Sequence, residues 1–209
     1  MNPRIHDLVK RRPELSGCVD DLMRAYEAMC DCYRHGGKLL LCGNGGSAAD
    51  AEHWAGELLK GFCHKRPLHQ MHKDLLPADL AQKLQYALPA IPLTGFISLS
   101  SAFLNDVDPI LIYAQLVWGL GVPGDVLVGI STSGNAKNVC AAMEAAKARG
   151  LFRVGLSGRT GGRLLAHCDV CIRAPSDETY LIQEFHLPIC HTLCLMLEDE
   201  FFVNSKQPG

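Results

Sequence analysis

Two stretches of this chain run from an apolar segment, through a turn rich in glycine and hydroxyl side chains, into a helical segment. They cover residues 38–57 and 124–139. Short apolar runs of this kind are typical of buried parallel strands. The turn after each run places free backbone N–H groups at the positive end of a helix, where anions bind. Two such turns in one chain predict a parallel sheet that holds a small phosphorylated ligand.

The rest of the chain continues the alternation of strands and helices. Strands are expected at 39–42, 90–93, 126–130, 152–156 and 170–173, and the main helices between them at 48–59, 110–120 and 136–149. This alternation predicts an α/β fold with a central parallel sheet and helices on both faces. We expect a single domain over residues 1–209, with a helical extension at 1–35 and an irregular insert at 64–90 that contains a short helix at 79–88.

Long apolar helices are predicted near both ends of the chain, at 17–35 and 178–202. Their apolar residues exceed what one sheet face needs, as at Leu22, Met29, Leu193, Met196 and Leu197. Excess apolar surface of this kind marks an interface between subunits, so we expect a homo-oligomer. Pro188, inside the second helix, either kinks it or marks its first turn.

Composition excludes several classes of function. The formal net charge is −2 without a long run of lysine or arginine, which argues against a nucleic-acid partner. No segment reaches the roughly 18 apolar residues that a membrane span requires, and the first residues lack the apolar region of a signal peptide. Ten cysteines without a second C-x-x-C pair are expected to be mostly buried free thiols. We therefore expect a cytoplasmic protein without a membrane partner.

The first turn contains Asn44, Gly45, Gly46 and Ser47. Its spacing also matches the dinucleotide pattern G-x-G-x-x-A. That pattern requires an acidic residue at the end of the next strand, and the strand near residue 93 has none. We therefore favour binding of a phosphate over binding of a dinucleotide.

The second turn contains three consecutive hydroxyl side chains, Ser131, Thr132 and Ser133, followed by a glycine. A helix N-cap needs only one of them. Three hydroxyls suit the oxygens of a phosphate monoester without a lysine or a metal ion. The chain has no GxxxxGK[ST] motif, so a nucleoside triphosphate is not expected.

Side chains suited to proton transfer follow at helical spacing. His53 and Glu57 are four residues apart on the helix after the first turn, so they share a face. Gln183 and His191 are eight residues apart, two turns, on the last helix. A carboxylate and an imidazole placed in this way can act as a general base and a general acid.

The two turns, GNGGSAADAEHWAGE and GDVLVGISTSGNAKNV, resemble those of the sugar isomerase (SIS) domain family, in its phosphoheptose isomerase branch. The resemblance runs from about residue 15 to residue 203. It implies a flavodoxin-like αβα sandwich, a cytoplasmic homotetramer and a sugar phosphate as ligand. It also implies phosphate contacts from Ser47, Ser131, Thr132 and Ser133. A further serine of the family pattern is Ala136 in this chain.

The same resemblance implies roles for the remaining polar residues. The positions of Glu57 and His191 hold the acid–base pair, and Asp106 follows the pattern of a ligand for a sugar hydroxyl. Some members of the family hold zinc, at the positions of His53, Glu57, Gln183 and His191; two imidazoles, a carboxylate and an amide oxygen make an acceptable zinc set. An acidic residue of the family pattern, shortly before Gln183, is Tyr180 here.

The expected function is thus the aldose–ketose isomerisation of sedoheptulose 7-phosphate to D-glycero-D-manno-heptose 7-phosphate through an enediol. The alternative is a non-catalytic SIS protein that binds a protein partner, like the DnaA initiator-associating protein. That relative lacks the residues at the positions of Glu57 and His191, so their presence favours an enzyme. Two interpretations of the insert at 64–90 stay open: it covers the site of a neighbouring subunit, or it is a solvated surface loop.

Overall fold

A computed structural model describes residues 2–203 of the chain. Its core is a parallel sheet of five strands in the order β2-β1-β3-β4-β5. The strands are β1 Leu39–Gly43, β2 Ala90–Pro92, β3 Val126–Ile130, β4 Phe152–Ser157 and β5 Val170–Arg173. Both central strands, β1 and β3, are buried along their whole length, as the apolar runs predicted. The strand order is that of flavodoxin-like proteins, so the predicted fold class is confirmed.

Nine α-helices surround the sheet within the described residues. They are α1 Pro3–Arg11, α2 Val19–Arg34, α3 Gly46–Leu59, α4 Gln70–Lys73, α5 Ala78–Lys83, α6 Ile97–Asp106, α7 Ile112–Leu120, α8 Lys137–Ala148 and α9 Thr179–Glu198. Helices α1, α2, α3 and α9 form one apolar cluster with the sheet. Helices α7 and α8 form a second cluster on its other face. The result is a three-layer αβα sandwich.

Several boundaries differ from those expected. Helix α6 was not predicted, and the insert contains two short helices, α4 and α5, instead of one at 79–88. Helix α9 ends at Glu198 and continues as a π-helical turn over Asp199–Val203. Pro188 lies inside α9, so it does not begin the helix. No helix in the described part of the chain is long and apolar enough to cross a bilayer.

The apolar faces of the terminal helices have a different role from the one predicted. Leu22 and Met29 on α2, with Leu193, Met196 and Leu197 on α9, are all buried in the core of the single chain. The prediction that these side chains form an interface between subunits is therefore wrong. Helices α2 and α9 pack on each other and belong to the same apolar cluster as the sheet, so together they bury the apolar surface that one sheet face cannot cover. The ten cysteines are all free, and eight are buried, as expected.

The strand order reverses between β1 and β3, which lie side by side. In their parallel register Gly43 pairs with Ile130, so both strands end at the same level. The loops that leave them diverge toward opposite faces of the sheet and open a crevice between them, where ligands bind in open α/β sheets. The two turns singled out in the sequence therefore meet at one place.

A wholly buried ion pair joins the start of the insert to the end of α9. The Arg66 Nε donates to Glu198 Oε1 at 2.9 Å, and neither side chain is exposed. The Glu198 carboxylate also accepts the backbone N–H groups of Phe62, Cys63 and His64, at 2.8, 2.8 and 3.0 Å. Burial opposes ionisation of Glu198, but these donors hold its pKa below the ordinary value. We call these contacts the Arg66–Glu198 clamp.

The clamp predicts a loss of stability in acid. Because the pKa of Glu198 is lower in the folded than in the unfolded state, its stabilisation is complete above the unfolded pKa, near 4.5. That stabilisation is lost as the pH falls through the folded value. In urea unfolding between about pH 6 and pH 3, Glu198→Gln should therefore lose less of its free energy of unfolding than the wild type. Equal losses in the two proteins would contradict the clamp.

Candidate active site

The two turns enclose a small cavity of about 160 Å³ at the reversal of strand order. Six of its seven lining residues come from the two turns, and the seventh is the last residue of β3. The lining residues are Asn44, Ser47, Ile130, Ser131, Thr132, Ser133 and Ala136. The cavity lies at the N-terminal ends of α3 and α8, whose dipoles favour a negative charge. No lysine or arginine lines it.

The hydroxyls of the second turn are arranged as donors. Ser133 Oγ accepts the backbone N–H of Asn135 at 3.1 Å, and Ser131 Oγ accepts that of Ala136 at 3.4 Å. Each accepted bond leaves the hydroxyl hydrogen free to donate. The Thr132 hydroxyl has no hydrogen-bond partner among residues 2–203. All three hydroxyls can therefore donate to an anion in the cavity.

An amide pair joins the two turns across the cavity. Asn44 Nδ2 donates to Asn138 Oδ1 at 2.9 Å, and Asn138 Nδ2 donates back to Asn44 Oδ1 at 2.8 Å. Asn138 lies in the first turn of α8 and was not predicted as a site residue. An asparagine at the start of a helix is common, so the sequence carried no signal for this role. The pair fixes Asn44 against the wall of the cavity.

The first turn is shaped by glycines that allow close approach. Gly45 has a φ of +55°, a conformation that only glycine adopts without cost. At Gly46, an added Cβ would lie 2.3 Å from the Nε2 of Gln183. The side chain of Gln183, from α9, therefore rests directly on the first turn, as its assignment to the site requires.

Helices α3 and α9 pack side by side in the same direction. Gln183 lies beside Gly46 at the start of α3, and eight residues later His191 lies beside His53. The Nε2 atoms of His53 and His191 are 2.9 Å apart, and Glu57 Oε1 is 3.7 Å from the Nε2 of His53. The three proton-transfer residues predicted from the sequence therefore meet in one place, and all three come from one chain.

Two neighbours complete this cluster. The Phe62 ring lies against His191, with ring centroids 5.3 Å apart, and Lys60 Nζ donates to Glu57 Oε2 at 3.1 Å. Burial lowers the pKa of His191, the nearby His53 lowers it further, and the carboxylate of Glu57 partly opposes the shift. The His191 imidazole is therefore neutral near pH 7, which allows it to accept a proton. No local sequence pattern pointed to Phe62.

The donor set at this cluster suits zinc in kind: two imidazole nitrogens and a carboxylate oxygen. Among the described residues, however, no group of three His, Cys, Asp or Glu side chains is arranged to hold a metal ion. Gln183, the fourth predicted ligand, rests on Gly46, and none of its hydrogen bonds joins it to the two histidines. The donors thus fit zinc by their chemistry, and the sequence prediction of a zinc site stays a prediction.

Two further predicted positions lie outside the cavity. Asp106 is exposed at the end of α6 and accepts the Nδ2 of Asn105 at 2.7 Å. No hydrogen bond or ion pair in the described part of the chain joins it to either turn. Tyr180 is exposed in the first turn of α9. Ala136 lines the cavity with a methyl group, where the family pattern has a hydroxyl.

Comparison with known proteins identifies the family of this chain. Two family models, each described as SIS domain, match residues 15–79 and 101–198. A phosphoheptose isomerase from Aneurinibacillus thermoaerophilus is 38% identical over 190 residues, which cover 89% of this chain and 86% of the relative. The structure of phosphoheptose isomerase GmhA from Neisseria gonorrhoeae is 34% identical, with a TM-score of 0.75, and the match covers 93% of this chain and 95% of that one. The structure of a phosphoheptose isomerase from Francisella tularensis is 31% identical, with a TM-score of 0.74, and the match covers 93% of this chain and 94% of that one.

The strand order and the two turns, together with these matches, define a SIS-domain protein. Within that class, the chain belongs to the phosphoheptose isomerase family. It is therefore an enzyme, a sugar-phosphate isomerase, and the resemblance found in the sequence is confirmed.

The arrangement of the hydroxyls predicts how Ser133 contributes to binding. Ser133→Ala removes one donor to a charged oxygen, which costs on the order of 1.5–3 kcal/mol, or about 10- to 100-fold in affinity. Calorimetric titration with a ketose phosphate measures this loss. Ser101→Ala, which removes a hydroxyl on α6 that donates to the Ser98 carbonyl, is the control. If both variants bind as tightly as the wild type, the phosphate does not contact Ser133.

Proposed function

We propose that this enzyme interconverts sedoheptulose 7-phosphate and D-glycero-D-manno-heptose 7-phosphate. The observation that carries the proposal is the meeting of Glu57, His53 and His191 on α3 and α9, because α3 also begins at the hydroxyl-lined cavity. The names of the relatives, phosphoheptose isomerases, support a seven-carbon sugar phosphate as the substrate.

The spacing along α3 supports a long substrate. At about 1.5 Å of rise per residue, His53 lies about 9 Å and Glu57 about 15 Å beyond Ser47. A phosphate held at Ser47 and the second turn therefore lies well away from the groups that transfer protons. This separation favours a sugar whose carbonyl end is far from its phosphate over a triose phosphate. In a heptose 7-phosphate, C1 and C2 are at the opposite end from the phosphate.

The proposed chemistry divides the proton transfers between two residues. The Glu57 carboxylate removes the proton from the carbon next to the carbonyl and returns it to the other carbon of the enediol. His191, neutral at the start, exchanges a proton between the two oxygens. No net proton is gained or lost. The hydroxyls of the two turns hold the phosphate, Gln183 and Asn44 contact the chain of the sugar, and Asp106 remains a proposed ligand for one of its hydroxyls.

We also propose that His53, Glu57 and His191, together with the side-chain amide oxygen of Gln183, hold zinc. The kind of donor supports this set, since two imidazoles and one carboxylate, all common zinc ligands, lie next to one another. A bound zinc ion would polarise the carbonyl of the substrate. A homotetramer is a further proposal. It is supported by the large apolar side chains that α6 and α7 expose, among them Ile97, Leu104 and Trp118.

The role of Glu57 predicts a large and selective loss of activity. Glu57→Gln keeps the shape of the side chain but cannot take the proton, so kcat should fall at least about 100-fold. The control is Glu52→Gln on the same helix, where the carboxylate accepts the hydroxyl of Thr94 at 2.8 Å. NMR of sedoheptulose 7-phosphate and of shorter ketose phosphates follows the appearance of each aldose. Unchanged turnover in Glu57→Gln would refute the assignment, and preference for a shorter ketose would refute the substrate.

The zinc proposal has a test that does not depend on activity. Wild-type protein stripped with a chelator should take up one zinc ion per chain in calorimetric titration, and His53→Ala should bind it at least about 10-fold more weakly. His72→Ala is the matched control, because this exposed histidine of α4 is bonded to the Tyr86 hydroxyl. Equal zinc binding by the wild type and His53→Ala would show that zinc, if bound, lies elsewhere.

A further inference from the structure

The Arg66–Glu198 clamp touches both sides of the proton-transfer cluster, although neither residue lines the cavity. We propose that Arg66 and Glu198 are positioning residues for the isomerisation: the clamp fixes the end of α3 that carries Glu57 and the Phe62 ring that packs against His191. The proposal rests on the proposed roles of Glu57 and His191 and goes beyond them, because it names what holds the pair in register.

The arginine side of the clamp holds α3. Arg66 Nη1 donates to the carbonyl of Leu58 at 2.7 Å, and Nη2 reaches the carbonyl of Glu57 at 3.4 Å. Helix α3 ends at Leu59, so these are among the last carbonyls of a helix, which lack partners within it. A cation is favoured at that end of the helix dipole. The guanidinium thus fixes the backbone of the residue whose carboxylate transfers the proton.

The glutamate side of the clamp holds the loop after α3. Three consecutive backbone N–H groups, from Phe62 to His64, point at the Glu198 carboxylate. Phe62 is thereby fixed at its backbone, and its ring lies against the imidazole of His191. Glu198 is also seven residues beyond His191 on α9, on the same face of the helix. The two carboxylates and the imidazole are therefore linked through one set of contacts.

The chemistry of the clamp indicates that it positions other residues. A buried ion pair is weak evidence for stability, since apolar residues of the same volume often stabilise a core as well. The pair does fix the orientation of the groups around it, because the planar guanidinium and the carboxylate each make several hydrogen bonds of defined geometry. Proton transfer needs the acid and the base in place to within a fraction of an ångström. A clamp that joins α3, the loop and α9 meets that need.

The chain offers a matched control for this proposal. Asp125, like Glu198, is wholly buried and paired with a cation. Its carboxylate accepts the Nζ of Lys38 at 2.6 Å and two backbone N–H groups. It lies just before β3, at the N-terminal end of the strands, whereas the cavity lies at their C-terminal end. Asp125→Asn therefore perturbs a comparable buried carboxylate without touching α3, α9 or the loop after α3.

The experiment compares Glu198→Gln with Asp125→Asn in full-length protein, using sedoheptulose 7-phosphate, at a temperature where circular dichroism shows both folded. We expect Glu198→Gln to lower kcat at least 10-fold while KM changes less than threefold, because the phosphate cavity is not part of the clamp. We expect Asp125→Asn to leave kcat within twofold. Equal effects of the two variants, or an unchanged kcat in Glu198→Gln, would overturn the proposal.

Two further measurements keep the test decisive. If Glu198→Gln does not fold, Phe62→Leu removes the ring beside His191 and leaves the ion pair intact, and it should also lower kcat with little change in KM. If the wild type does not turn over sedoheptulose 7-phosphate, the proposed function fails, and NMR of the His191 ring still tests the clamp. Its ring signals should move in Glu198→Gln and stay in place in Asp125→Asn; the reverse would overturn the proposal.

Discussion

The reversal of strand order between β1 and β3 is the constraint on which the rest of the site depends. Because the two strands are parallel neighbours in register, the turns that leave them face each other, and the helices that follow present their N-terminal ends to one cavity. Binding of an anion there needs no basic side chain, because two helix ends and three hydroxyl donors supply the positive field. The site is thus a consequence of topology before it is a consequence of any single residue.

The reaction needs a second constraint, the parallel packing of α3 against α9. Helix α3 starts at the cavity and carries His53 and Glu57 away from it. Helix α9 passes Gly46 with Gln183 and places His191, two turns later, beside His53. Two helices that leave one place in one direction keep their side chains paired along their length. This arrangement separates the proposed phosphate site from the proposed proton-transfer cluster. Each has its own contacts: the Asn44–Asn138 pair at one end and the Arg66–Glu198 clamp at the other.

Much of this was predictable from local sequence signals. The five strands, the two turns and the helical spacing of His53, Glu57, Gln183 and His191 each depend on residues close in sequence, and the strands at 126–130 and 170–173 were predicted to the residue. What was missed depends on pairing in space. An apolar stripe on α2 or α9 indicates that the helix is buried. It does not indicate whether the covering surface belongs to another subunit or to the same chain, where α2 and α9 cover each other. Likewise, Asn138, Phe62 and Glu198 have roles only through partners 94, 129 and 136 residues away.

Ala136 stands where the family pattern has a serine, and the effect of this difference on the position of the cavity is small for a structural reason. A methyl group in place of a hydroxyl removes one donor from the cavity wall, a loss of on the order of 1.5–3 kcal/mol if that hydroxyl bonded a charged oxygen. The backbone N–H of Ala136 remains, and its bond to Ser131 Oγ is long, at 3.4 Å, so the amide can turn to an anion at little cost. The proposed anion site therefore keeps its position, because that position is set by where α8 begins and not by the side chain that precedes it.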